Sequence, residues 1–107
     1  MYQLVFYVPD EYLEPVKEAV FAAGGGKYKD YDMCAWQTLG RGQFRPLDGA
    51  DPFLGRRGRL EHEPEYKVEL VVSNDQAREV VKALLQAHPY EEVAYSLTRI
   101  FTLDDLP

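Results

Sequence analysis

Two histidines, one cysteine and a cluster of arginines are the side chains of this 107-residue chain best suited to chemistry. His88 stands with Glu91 and Glu92 in one short turn, and His62 lies between Glu61 and Glu63. Imidazole and carboxylate together can ligate zinc, copper or manganese, so His88, Glu91 and His62 are the candidate ligands of a divalent cation. His88 with Glu91 is also the one pairing suited to acid–base catalysis. The plainer reading is structural: a histidine before proline at a helix end is favoured by the helix dipole and can pair with a nearby carboxylate to hold the turn. Arg41, Arg45, Arg56, Arg57 and Arg59 fall within one stretch. Their guanidinium forks match phosphate or carboxylate, against the alternative of a solvated loop. Gly40-Arg41-Gly42 is no phosphate cradle, because the lysine and the serine or threonine of a P-loop are missing. Cys34 has Asp32 beside it, the wrong sign for activating a thiolate, and reads as a thiol buried in a sheet face or interface. Tyr90 and Tyr95 suit a core or an interface, with Tyr90 close enough to the turn to face a ligand.

These side chains need a scaffold, and the hydrophobic pattern supplies one. Tyr2 to Val8 alternates as a strand. Pro9-Asp10-Glu11 opens a helix whose Leu13, Val16, Val20 and Ala23 recur every three or four residues until Gly24-Gly25-Gly26 ends it. Pro15 falls near the first turn, where proline costs least. A second strand is predicted over about Tyr31 to Leu39, then a Gly- and Pro-rich connection to about Pro64, and a third strand over Tyr66 to Val72. Ser73 and Gln76 have the spacing of a capping box. Ala77, Val80, Val81, Leu84 and Leu85 form a helical stripe that His88-Pro89 stops. The fourth strand is predicted over Val93 to about Phe101, with a polar end fraying from Thr102.

The chain also overlays on itself at an offset of 64. Tyr2 falls on Tyr66, Leu4 on Val68, Phe6 on Leu70 and Val8 on Val72; Asp10 falls on Asn74, Leu13 on Ala77, Val16 on Val80, Val20 on Leu84 and Ala23 on Ala87. A β-α-β unit used twice predicts an α+β fold, the ferredoxin-like βαββαβ arrangement, with two helices on one face of a four-stranded antiparallel sheet. In that topology Pro9 to Glu11, the basic connection and His88 to Glu92 emerge at one end of the sheet. Arg45, His88, Tyr90, Glu91 and Glu92 are therefore the expected ligand-binding residues. The opposite sheet face carries Val5 and Tyr7, and an apolar open face predicts a homo-oligomer.

Composition limits the function classes. The net charge of −6 opposes nucleic-acid binding, and the five arginines against Asp48 and Asp51 make residues 40–59 a +3 patch on a body of −9. No apolar run is long enough for a membrane span. A single cysteine excludes an internal disulfide and suits a reducing cytoplasm, and Leu4 to Val8, too short for an apolar signal core and followed by Pro9-Asp10-Glu11, is expected not to act as an export signal.

His88-Pro89-Tyr90-Glu91-Glu92-Val93-Ala94-Tyr95, Tyr31-Asp32-x-Cys34 and Gly40-x-Gly42-x-Phe44-x-Pro46 together resemble the inserted domain of Nif-three-like proteins. The likeness spans nearly the whole chain. It implies a ferredoxin-like fold similar to PII signalling proteins and CutA-type cation tolerance proteins, which commonly form trimers. Full-length members hold a two-metal centre in a flanking domain, of which these 107 residues contain no counterpart. Met33 stands where members often have histidine, which counts against a metal site built with Cys34. The resulting expectation is a cytoplasmic, oligomeric regulatory or binding protein for a small anion, a nucleotide or a divalent cation. The alternatives are a protein-interaction module without a small ligand and a small enzyme using His88 and Glu91.

Overall fold

A computed structural model describes all residues from Met1 to Pro107. Its elements run β1 (Tyr2–Val8), α1 (Asp10–Ala22), β2 (Trp36–Phe44), β3 (Glu61–Val72), α2 (Ala77–Ala87) and β4 (Tyr95–Arg99), with a short 3-10 turn at Leu103–Asp105. The sheet order is β2-β3-β1-β4 and every neighbouring pair is antiparallel. This is the ferredoxin-like βαββαβ fold. No helix is long and apolar enough to cross a membrane.

The internal repeat is the core. Leu4, Phe6 and Val8 of β1 and their counterparts Val68, Leu70 and Val72 of β3 are all buried, as are Val16, Val20, Val80 and Leu84 on the facing helices. Full burial of such side chains is worth about 1.5–3 kcal/mol each, so this cluster is the main source of stability. α1 starts after Pro9 with Asp10 and Glu11 in its first turn, where acidic groups suit the helix dipole, and it continues through Pro15. It ends in a Schellman motif. Gly24 N–H donates to the Phe21 carbonyl and Gly25 N–H to the Val20 carbonyl, with Gly24 at φ +112°. α2 stops at His88, whose extended backbone is what the following proline requires.

Several local expectations need correction. β2 starts at Trp36 rather than near Tyr31, because a Tyr28–Tyr31 bridge and left-handed Met33 (φ 55°) make residues 28–35 a folded turn. Cys34 therefore sits in that turn, half-buried, with its N–H donating to the Gly26 carbonyl, and not in a strand. β2 instead continues through Gly40-Arg41-Gly42 to pair with a β3 that begins at Glu61, so much of the expected connection is a ribbon. Pro64 is tolerated within it because β1 ends opposite Tyr66, leaving one side of β3 with no ladder to break. The Ser73–Gln76 capping box does not form: α2 has no side-chain cap, and the Gln76 amide lies instead against Gly24, where a Cβ would fall 2.0 Å from its Oε1. Past Thr102 the chain forms a short 3-10 turn that Thr102 and Asp105 cap reciprocally. β4 is also shorter than expected, with Val93 and Phe101 outside it.

The open sheet face is mixed rather than apolar. Val5, Tyr7 and Trp36 share it with Gln3, Lys67 and Glu69, and Gln3 Nε2 donates to Glu69 Oε1 at 3.2 Å. Trp36 is nonetheless 68% exposed. Ile100 N–H donates to the Met1 carbonyl at 3.0 Å, holding the end of β4 beside the start of β1.

Candidate functional site

β1 ends at Val8, α2 ends at Ala87 and the β2–β3 ribbon turns over at the same end of the sheet. Three contacts hold these segments together. Asp51 N–H donates to Glu91 Oε2 at 3.0 Å, the Phe53 ring meets Tyr12 edge-on at 5.5 Å, and Phe53 lies 6.3 Å from Tyr90. The convergence read from topology is present, with Asp51 and Phe53 tying the connection to Glu91 and to Tyr12 of α1 while residues 55–60 stay exposed.

His88 is the keystone of this end and not a ligand in waiting. It is 6% exposed, its Nε2 lies 2.7 Å from the Tyr7 carbonyl, and its Nδ1 lies 3.1 Å from Tyr90 N. Since Nδ1 accepts from the Tyr90 N–H, the proton sits on Nε2 and is donated to Tyr7. Burial pushes the imidazole below its ordinary pKa, partly offset by the bond to Tyr7, so the ring is neutral. The carboxylate pairing expected of His88 is absent, and Glu91 holds Asp51 instead. With both ring nitrogens engaged, His88 has no lone pair free for a metal or a substrate proton. His62 is exposed on β3 opposite Gln43, and His62, His88 and Glu91 do not form a ligand set. No group of three or more His, Cys, Asp and Glu side chains is placed to hold a metal ion.

The arginines do not form a clamp either. Arg57 donates to the Ala50 carbonyl, Arg59 pairs with Glu61 at 3.3 Å, and Arg41 is exposed along β2. Arg45 alone of the five lines the cleft described next.

That cleft has a volume of about 440 Å³, within the range of small-molecule sites. Its apolar walls include Phe44, Leu47, Phe53 and Leu54, and Glu91 and Glu92 line it beside Arg45. Glu65 and Tyr90 also line it. Tyr90 Oη is buried without a hydrogen-bond partner of good geometry, although the two groups are near enough to perturb each other. Burial, and secondarily the charge of Glu63, push the Glu65 carboxyl above its ordinary value, against the lowering effect of the Tyr90 hydroxyl. Burial and the Glu65 charge push the Tyr90 phenol well above its own. Gly42 makes room for this arrangement: a Cβ there would fall 1.6 Å from Glu65 Oε1.

Arg45, Tyr90, Glu91 and Glu92 are thus brought together as expected, while His88 stands behind them and positions Tyr90 through its backbone. Glu65 and the aromatic walls were not anticipated. The signal available was the alternation of Glu61, Glu63 and Glu65 with His62, Pro64 and Tyr66, which marks strand rather than loop.

Comparison with known proteins gives this architecture a lineage. No protein-family model matches the chain. It is 41% identical over 97 residues to a GTP cyclohydrolase 1 type 2 homolog of Halalkalibacterium halodurans, and 44% identical over 95 residues to one of Bacillus subtilis. These alignments cover 91% and 89% of this chain and 26% of each relative. A solved Bacillus cereus protein related to NIF3 superposes with a TM-score of 0.78 at 35% identity, covering 90% of this chain and 24% of that one. The chain is homologous to one quarter of those proteins. It spans about a quarter of the length of the curated relatives it matches, the part that forms their inserted domain. CutA1 from Pyrococcus horikoshii shares the fold nearly end to end, with a TM-score of 0.70 at 18% identity and coverage of 96% and 86%. The PII-like CutA of Nostoc sp. does so with a TM-score of 0.62 at 16% identity, covering 94% of this chain and 81% of that one.

Proposed function

We propose that this chain is a non-enzymatic binding domain that assembles with copies of itself and holds a small organic molecule in the cleft between Phe53, Glu65 and Tyr90. The observation that carries this reading is the cleft itself, apolar in its walls, with the buried, unpartnered hydroxyl of Tyr90 beside Glu65. A buried polar atom without a partner is costly, and a ligand that bonds to it recovers that cost.

A divalent cation is a weaker occupant of this end than the sequence suggested, since His88 has no free nitrogen there. A small anion is weaker as well, with one arginine against three carboxylates in the lining. Cyclohydrolase chemistry, the activity in the name of the longer relatives, is not extended to these residues: His88 is engaged at both nitrogens and Cys34 lies in the turn against Gly26. The CutA-like fold supports a trimer, and the exposed Trp36 on the open sheet face supports burial against another copy. The single thiol suits a cytoplasmic setting.

Two measurements test this. Light scattering at micromolar concentration is expected to give a trimer, and a monomer overturns the assembly. A thermal-shift panel of small organic molecules is expected to raise the melting temperature of wild type, since a ligand at one hundred times its Kd adds about 2.7 kcal/mol. The same compounds should shift a Tyr90→Phe variant less. Stabilisation by a protein partner alone would favour an interaction module.

A further inference from the structure

We propose that the cleft selects an amphipathic cation: a molecule with an aromatic or aliphatic body and one protonated amine, the amine seated between Glu65 and Tyr90. The proposal rests on the reading of the cleft as a ligand site and adds the chemical class of its occupant.

Charge favours this class. Glu65, Glu91 and Glu92 line the cleft against Arg45, and one oxygen of Glu91 is already committed to Asp51. Hydrogen-bonding capacity favours it too. An ionised carboxylate accepts only, and a phenol oxygen can accept, whereas an ammonium brings three donors and no acceptor. One N–H can thus meet Glu65 in a charge-assisted bond while a second meets the unpartnered Tyr90 oxygen. A neutral alcohol satisfies Tyr90 but leaves a half-buried carboxylate without a counter-charge. A carboxylate ligand meets Glu65 with like charge.

The surroundings of Glu65 point the same way. Burial and Glu63 disfavour its charged form, and a cation alongside reverses that penalty. Phe44 and Phe53 line the cleft with aromatic surface for the apolar body. Gly42 keeps the space into which the carboxylate folds.

The experiment uses three probes that share a body and differ in their head: 2-phenylethylamine, 2-phenylethanol and 3-phenylpropionate. Each is titrated into the intact chain at neutral pH and followed by amide chemical shifts. The expected result is movement of cleft amides such as Phe53 and Tyr90, with the amine bound about tenfold tighter than the alcohol, a difference of about 1.4 kcal/mol, and the propionate weakest. Glu65→Gln should remove most of that gap and leave alcohol binding unchanged. Gly42→Ala, whose added carbon displaces the Glu65 carboxylate, should narrow it as well. Equal or tighter binding of the alcohol or the propionate overturns the cationic class and leaves the cleft a ligand site. A tenfold gap that survives Glu65→Gln overturns the assignment to Glu65. If no probe moves any cleft amide, the ligand-site reading itself fails and this proposal falls with it.

Discussion

The two halves of the repeat solve one problem in different ways at the ends of their helices. Tyr7 and Val71 are equivalent at the offset of 64, and each presents a carbonyl to the chain leaving the opposite helix. In the first half the Val71 carbonyl receives the Gly26 N–H at 2.8 Å. In the second the Tyr7 carbonyl receives the His88 imidazole at 2.7 Å. Three glycines follow α1, and the positive φ values of Gly24 and Gly26 let the backbone close on the strand. Their counterparts after α2 are His88, Pro89 and Tyr90. Pro89 has no N–H, so the Gly25-to-Val20 bond of the Schellman motif has no equivalent there, and a side chain does what the backbone did. The substitution is what shapes the cleft. With the imidazole spanning Tyr7 and Tyr90, the turn is held open enough for Tyr90 to line a cleft, whereas the glycine end is closed by backbone alone.

The comparison can be broken most directly at His88. His88→Ala leaves the Tyr7 carbonyl and the Tyr90 N–H without a partner and opens a cavity, and it should cost about 3 kcal/mol in urea denaturation. A loss under about 1 kcal/mol would mean that the imidazole is dispensable to the fold. Gly26→Ala should cost about 2 kcal/mol, because its φ of 74° is unfavourable for alanine and the new Cβ would fall 2.7 Å from the Cys34 carbonyl oxygen. An effect near zero would show that the glycine end tolerates a side chain as the histidine end does.

The two ends should also differ in their response to acid. The folded-state pKa of His88 lies below its unfolded value of about 6.5, so below that pH the unfolded chain binds more protons. The contribution is complete above pH 6.5 and is lost as the pH falls toward the folded-state value. Urea midpoints of wild type should therefore drop through this window more steeply than those of His88→Gln, whereas Gly26→Ala should keep the wild-type slope. Parallel curves for wild type and His88→Gln would place the acid sensitivity elsewhere. The smallest effect belongs to Glu91→Gln, which weakens the bond from Asp51. Stability should change by about 0.5 kcal/mol or less, while hydrogen exchange at the Asp51 amide becomes faster.

What was legible in the sequence follows from which signals folding writes locally. Leu4, Phe6 and Val8, with Val68, Leu70 and Val72, declare their strands by alternation because one face of each is buried. β2 has no such signal. Most of Trp36–Phe44 is exposed, and the strand is held by its ladder to β3 rather than by an apolar face, so neither of its ends could be read from hydrophobicity. The same misplacement hid Glu65, since a strand started at Tyr66 leaves the preceding acids in a loop. The meeting of Arg45 with Tyr90, Glu91 and Glu92 was legible because topology alone brings those segments to one end. The role of His88 was not, because its partner is a backbone carbonyl 81 residues away, and a carbonyl has no letter of its own in the sequence.

The antiparallel pairing of β1 with β4, finished by the hydrogen bond from Ile100 to the Met1 carbonyl, sets entrance and exit of the fold side by side. A host polypeptide can open at a surface turn, admit such a unit and resume its path almost where it left off, with little distortion on either side. The cleft lies at the opposite end of the sheet from that junction. A guest carried in this way presents its cleft outward, away from whatever carries it.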